Sequence, residues 1–210
     1  MNSDEPIVFV VDDDYRVREA LSSLIASVGL RVVAFGSAVE FLESEKPDSP
    51  ACLVLDLQLP DVNGLELQQA LAALDGPPIV FITGHGDIPS SVRAIKAGAI
   101  EFLPKPFSEQ ELLRAIDAAI VLDREARRNR SELAELQKRY SFLTPREREV
   151  LPYVVAGFAN KQTAADLGTS EITIGVHRGQ IMHKMGARSL AELVRMSDKL
   201  GLARATGRSK

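Results

Sequence analysis

Apolar residues gather in the first half of this chain as short, unbroken runs. Ile7–Val11, Ala51–Leu55, Pro78–Ile82 and Glu101–Leu103 are each too short for a helix and are followed by acidic or turn-forming residues. Such runs read as strands buried on both faces of a parallel sheet. Arg31–Phe35 reads as a fifth strand. Between them the apolar positions take helical spacing at Tyr15–Val28, from Ser37 to about Glu45, and at Gly64–Leu74, Ile88–Ala97 and Ser108–Leu122. Strictly alternating elements predict an α/β doubly wound (βα)5 domain with strand order 2-1-3-4-5.

The pattern changes after Leu122. Asp123–Tyr140 is polar, lacks Gly and Pro, and extends the fifth helix as a connector. Leu122, Ala126, Asn129, Leu133, Leu136 and Tyr140 fall at coiled-coil spacing within it, which fits either a solvated helix or a seam that pairs two chains. Thr144 then caps a helix with Pro145 at its first position. That helix runs to about Ala156 and stops at Gly157. Asn160–Leu167, Glu171–Met185 behind Ser170, and a helix from Ser189 to about Leu200 complete a small all-α helix-turn-helix domain. The predicted organisation is 1–122, a helical linker at 123–140, and 141–210.

Projection of Glu171–Met185 at about 100° per residue separates two faces. Ile174, Arg178, Ile181 and Met185 form the inner stripe, where Arg178 is expected to pair with Glu147. Ile172, Val176, Gly179, Gln180 and His183 lie opposite, flanked by Thr173. An outward β-branched Val176 suits a thymine methyl, and Gln180 an adenine edge. Lys161, Thr173, His177 and Lys184 are placed for backbone phosphates of duplex DNA.

Charge sharpens the division. Residues 1–122 carry 8 Lys+Arg against 19 Asp+Glu, and residues 123–210 carry 17 against 10, although the whole chain is only −4. An acidic module joined to a basic one directs the polyanion to the second. Cys52, alone in an apolar strand, offers neither a disulfide nor a metal site within the chain. His85 reads as a surface residue, and three isolated histidines make no metal centre. No apolar run approaches 18 residues and Met1–Asp4 opens no signal peptide, so the chain is expected to be soluble and cytoplasmic, with no membrane partner.

Candidate chemistry sits at the downstream ends of the strand-forming runs: Asp12-Asp13, Asp56, Thr83 and Lys105-Pro106. In an open α/β sheet these ends share one edge. Three crowded carboxylates repel unless a cation shares the site, and a hard divalent ion, Mg2+, resolves this with oxygen ligands. Asp56 is then a nucleophile able to form an aspartyl-phosphate. The metal and Lys105 neutralise the transferring group, and Thr83 can hydrogen-bond it. A cis Lys105–Pro106 bond would aim the lysine inward.

The motifs VVDDD at 10–14, LVLDLQLPDVNG at 53–64, ITGHGD at 82–87 and FLPKPF at 102–107 resemble the receiver domain of two-component response regulators over residues 6–122. Residues 141–202 resemble the LuxR-type helix-turn-helix effector of the FixJ/NarL branch. By this resemblance Asp12 and Asp13 are the acidic metal pair and Asp56 the phosphoacceptor. Gln58 offers its backbone carbonyl to the metal, Thr83 and Phe102 form the switch pair, and Lys105 contacts the phosphoryl group. Asp14 stands where the family often has Glu and is expected to cap the first helix.

The resemblance implies a phosphorylation-dependent transcription regulator. A sensor histidine kinase phosphorylates Asp56, the chain forms a homodimer, and it engages promoter DNA and RNA polymerase. No external metabolite is turned over; the only chemistry is self-catalysed transfer to, and hydrolysis from, Asp56. The alternative, an aspartyl-phosphate phosphatase-like enzyme, would usually carry an acid two residues after the nucleophile, where this chain has Gln58. A dinucleotide-binding module fails on its third glycine, which is Pro89. Gly175, where the family often has Lys, and Gly179 depart from the effector pattern and remove possible DNA contacts.

Overall fold

Five strands lie side by side in the order β2-β1-β3-β4-β5, all parallel. They are β1 (Ile7–Val11), β2 (Arg31–Phe35), β3 (Ala51–Asp56), β4 (Ile79–Thr83) and β5 (Glu101–Pro104). The computed structural model describes residues 5–84, 88–203 and 205. The chain divides into two units, Met1–Arg127 and Arg128–Lys210.

Helices α1 (Tyr15–Ser27), α2 (Ala38–Glu43), α3 (Gly64–Ala72), α4 (Ile88–Lys96) and α5 (Glu109–Ser141) follow the five strands in turn. Both sheet faces are covered, as the apolar runs require. Ile7, Phe9, Val11, Leu53, Leu55 and Phe81 pack with Phe41 of α2, Leu67 of α3 and Ala94 of α4. Val8, Val10, Cys52, Val54, Val80 and Ile82 pack with Leu21 and Ile25 of α1 and Leu112 and Ile116 of α5. Burial accordingly pushes the Cys52 thiol pKa far up.

Local chemistry sets the helix starts. Asp14 accepts the Arg16 amide at 2.8 Å and Asn63 accepts the Leu65 amide at 2.9 Å, satisfying donors that an open helix end leaves free. Gly64 opens α3 where space is short on three sides. A Cβ there would lie 3.0 Å from the Asp56 carbonyl oxygen, 3.0 Å from Phe81 and 3.1 Å from the Leu57 Cα. Between α3 and α4, buried Gln68 donates from Nε2 to the Ala94 carbonyl at 3.0 Å.

Helix α5 continues through the whole predicted connector to Ser141. Asp123 is buried within it: Oδ2 accepts the Ala51 amide at 2.8 Å and Arg127 Nε at 2.7 Å, while Arg127 reaches Asp48 at 2.5 Å.

The second unit contains α6 (Pro145–Val155), α7 (Asn160–Asp166), α8 (Glu171–Met185) and α9 (Leu190–Lys199). Their core joins Leu143, Val150, Leu151, Val154, Ile174, Ile181, Met185 and Leu193. Thr144 and Glu147 form a reciprocal capping box at α6. The six positions along α5 at coiled-coil spacing do not share one environment. Leu136 is buried and Tyr140 packs against this core, whereas Leu122 and Leu133 stay exposed. Of the six, Leu136 and Tyr140 are therefore not free to face a second chain. Among the described residues, no helix is long and apolar enough to cross a membrane.

Candidate functional site

Parallel register brings the strand ends together. Val11 lies opposite Leu55, Asp56 opposite Ile82, and Thr83 opposite Pro104. Asp12 and Asp13 follow β1, Asp56 ends β3, Thr83 ends β4 and Lys105 follows β5. Carboxylate oxygens of Asp12, Asp13 and Asp56 come within 4.8 Å of one another. Asp12 is fully buried, Asp56 nearly so, and Asp13 is exposed.

The Lys105 ammonium bridges two members of this cluster, 2.8 Å from Asp12 Oδ2 and 2.7 Å from Asp56 Oδ2. The Lys105–Pro106 peptide is cis. Burial raises the Asp12 pKa, and the Lys105 and Asp14 hydrogen bonds offset this only in part. Burial alone would lower that of Lys105, but bonding to Asp12 and Asp56 and their charge reverse this and raise it. One ammonium faces three carboxylates, so negative charge remains in excess. The donors are all hard oxygens with one exposed member, which fits a divalent cation.

Gln58 stands on the loop just after Asp56; its amide donates to Asp56 Oδ1 at 2.9 Å and it bridges to Asn63. Thr83 is buried and its carbonyl accepts the Lys105 amide at 2.7 Å. Phe102 pairs in register with Phe81, ring centroids 6.2 Å apart, and is half-buried against the core. His85 lies outside the described residues.

On the second unit, the split faces of α8 are as the spacing predicts. Ile174, Ile181 and Met185 are buried, whereas Ile172 is 82% exposed and Val176 59% exposed. Gln180 and Lys161 are exposed, and His177 is half-buried. Thr173 lies in the first turn, its hydroxyl 2.8 Å from that of the capping Ser170. A Cβ at Gly179 would meet nothing within 4 Å, and one at Gly175 only Asn160 at 3.5 Å.

Two expectations are corrected here. Glu147 pairs with Lys184, not Arg178: the Lys184 ammonium lies 2.9 and 2.7 Å from the two Glu147 carboxylate oxygens. Lys184 is thereby engaged by a carboxylate of its own unit, its side chain 26% exposed, where an ammonium free for a phosphate was expected. Arg178, half-buried, makes no ion pair among the described residues. Burial pushes the Glu147 carboxyl up, but hydrogen bonds from Lys184 and the Thr144 amide outweigh it and hold the pKa below its usual value. The sequence carried a clue, since Thr144 with Glu147 three residues on is a capping-box signature that fixes the Glu147 side chain at the start of α6.

Residues 8–117 match the family described as response regulator receiver domain, and residues 141–197 match bacterial regulatory proteins, luxR family. Nodulation protein W of Bradyrhizobium diazoefficiens is 53% identical over 96% of this chain and 89% of its own length. Response regulator protein TmoT of Ectopseudomonas mendocina is 48% identical over 95% of this chain and 91% of its own. The solved structure of response regulator StyR, 51% identical, superposes with a TM-score of 0.83 over 93% of this chain and 99% of that one.

Proposed function

Because this chain belongs to the two-component response regulators that join a receiver domain to a LuxR-type DNA-binding domain, we propose that Asp56 is the residue its partner histidine kinase phosphorylates. The observation that carries the assignment is the Asp56 carboxylate at the end of β3, inside the three-acid cluster and bonded to Lys105. Residues 1–122 act as the receiver, 123–140 as a helical linker and 141–210 as the DNA-binding module.

A carboxylate oxygen of Asp56 attacks the phosphorus of the kinase phosphohistidine. The O–P bond forms as the P–N bond breaks, and the departing imidazole nitrogen keeps the electron pair. Asp12, Asp13 and Asp56, with the Gln58 carbonyl, would hold Mg2+, which when bound would neutralise charge on the phosphoryl oxygens. Lys105 exchanges its carboxylate partners for a phosphoryl oxygen, and the Thr83 hydroxyl donates to another. Phe102 repacks beside Thr83, and the altered surface pairs two chains.

The homodimer then presents two α8 helices to duplex DNA in the cytoplasm, where RNA polymerase is the further partner. Val176 and Gln180 meet base edges, and Lys161, Thr173 and His177 meet the backbone. Asp56 is the only group modified, and no external metabolite is turned over.

The test is intact mass after incubation with acetyl phosphate and magnesium. Wild type gains one phosphoryl group, the Asp56→Asn variant gains none, and only modified wild type shows raised DNA affinity. A stable adduct on Asp56→Asn, or unchanged affinity in modified wild type, contradicts the assignment.

A further inference from the structure

The outermost line of α8 begins with two aliphatic side chains. Opposite buried Ile174, Ile181 and Met185, it carries Ile172, Val176 and Gly179 in turn. Ile172 is the most exposed large apolar side chain among the described residues, and Val176 is exposed as well. The two stand about 40° apart around the helix and about 6 Å apart along it, so they form one short ridge.

One flank of this ridge is bare. Gly175 and Gly179 lie along it, and the fold requires neither. Neither has a positive φ, and a Cβ would meet nothing within 4 Å at Gly179 and only Asn160 Nδ2, at 3.5 Å, at Gly175. Glycine weakens a helix interior relative to alanine, so the helix itself gains nothing from them. What the bare flank provides is access: on that side no long or charged side chain stands between the ridge and a base.

Ile172 is the second residue of α8, behind the Ser170 cap. The N-terminal residues of a reading helix are those that reach base edges. A side chain without polar atoms has one distinctive target in the major groove, the C5-methyl group of thymine.

We propose that Ile172 is a specificity-determining residue: with Val176 it forms an aliphatic ridge that reads two thymine methyl groups in one half-site. The proposal rests on the assignment of α8 to DNA above. Base pairs are stacked about 3.4 Å apart, so residues about 6 Å apart along the helix meet methyl groups one or two base-pair steps apart. Neither side chain donates or accepts a hydrogen bond, so the preference is for the methyl group and not for the pairing pattern of the base.

The test uses the full chain with beryllofluoride and a duplex that wild type selects from a random pool under the same conditions. Each thymine of one half-site is replaced in turn by uracil, which deletes the C5-methyl and keeps every hydrogen-bonding group. The expected result is two positions, one or two steps apart, at which uracil weakens wild-type binding about fourfold, the worth of one methyl group withdrawn from water. Ile172→Ala becomes indifferent to uracil at one of them and Val176→Ala at the other, the signature of two separate contacts. Both variants keep the wild-type salt dependence, because no phosphate contact is lost. Ile172 is exposed, so its truncation leaves the core of the unit intact. A wild type indifferent to uracil at every position overturns the proposal, as does an Ile172→Ala variant with wild-type sensitivity at both. A wild-type chain that selects no duplex instead overturns the assignment of α8 to DNA.

Discussion

Lys184, in the last turn of α8, places its ammonium within 2.9 Å of both carboxylate oxygens of Glu147 at the first turn of α6. Glu147 is 4% exposed and also caps α6, so one carboxylate fixes two helices. Lys184→Ala is expected to destabilise the second unit by about 1–3 kcal/mol. This is below the full penalty for a broken buried pair because the Lys184 side chain is 26% exposed. Urea denaturation of the full chain, followed by a probe in the second unit, measures it. The salt dependence of DNA binding should stay at the wild-type slope, since no phosphate contact is lost.

The same carboxylate predicts an acid response. The folded pKa of Glu147 lies below its usual value, so ionised Glu147 stabilises the fold above the unfolded carboxylate pKa, about 4.3. That contribution is lost as pH falls through the lower, folded value. Lys184→Ala removes the main hydrogen bond that lowers this pKa, so its acid unfolding midpoint should move to higher pH in circular dichroism.

Asp123→Ala leaves the Ala51 amide without its acceptor in a buried setting. The expected loss is about 1–3 kcal/mol in the first unit. Asp123→Asn keeps an acceptor and should recover part of it. Thermal denaturation of both variants decides the point: equal losses would mean that the Arg127 ion pair, not the amide bond, is what matters.

Strands and site were legible for one physical reason. A strand buried on both faces must be apolar at every position, so Ile7–Val11 and Ala51–Leu55 stand out, and the first polar residue after each marks the functional edge. The partner of Glu147 was not legible. Arg178 and Lys184 flank Ile181 by about 60° on either side of α8, and helical projection alone cannot say which flank meets α6. The surroundings of α5 were not legible either: spacing shows that Tyr140 wants an apolar partner, but not that the chain's own second core supplies it.

Val176→Ala should relax preference at one base pair by about 1 kcal/mol or less, as one lost methyl contact allows. Stability should barely change, because Val176 is 59% exposed. Gly179→Ala, with no atom near the new Cβ, should stabilise α8 by about 1 kcal/mol. Binding-site selection with each variant, beside a melting curve, separates the two effects. A Val176→Ala chain with unaltered base preference would move recognition to another part of the face.

Asp13→Ala removes the exposed member of the acid cluster and leaves the Lys105 bridge between Asp12 and Asp56 intact. The fold should persist while magnesium affinity and phosphorylation by acetyl phosphate are lost. Magnesium titration followed by amide resonances, with intact mass, checks both. Normal phosphorylation of this variant would remove Asp13 from the ligand set.

The close fit around Gly64 gives the acid cluster a mechanical tolerance. With the Asp56 carbonyl, Phe81 and the Leu57 backbone each 3.0–3.1 Å from where a Cβ would stand, a side chain at the first residue of α3 is a few tenths of an ångström too close on three sides. An alanine there would press α3 away from β3 by that margin, and the Asp56-to-Asn63 loop that sets the Gln58 carbonyl relative to Asp56 would have to absorb it. The alignment of a charged site is thus gauged by a hydrogen atom, at a position that bears no charge and touches no ligand.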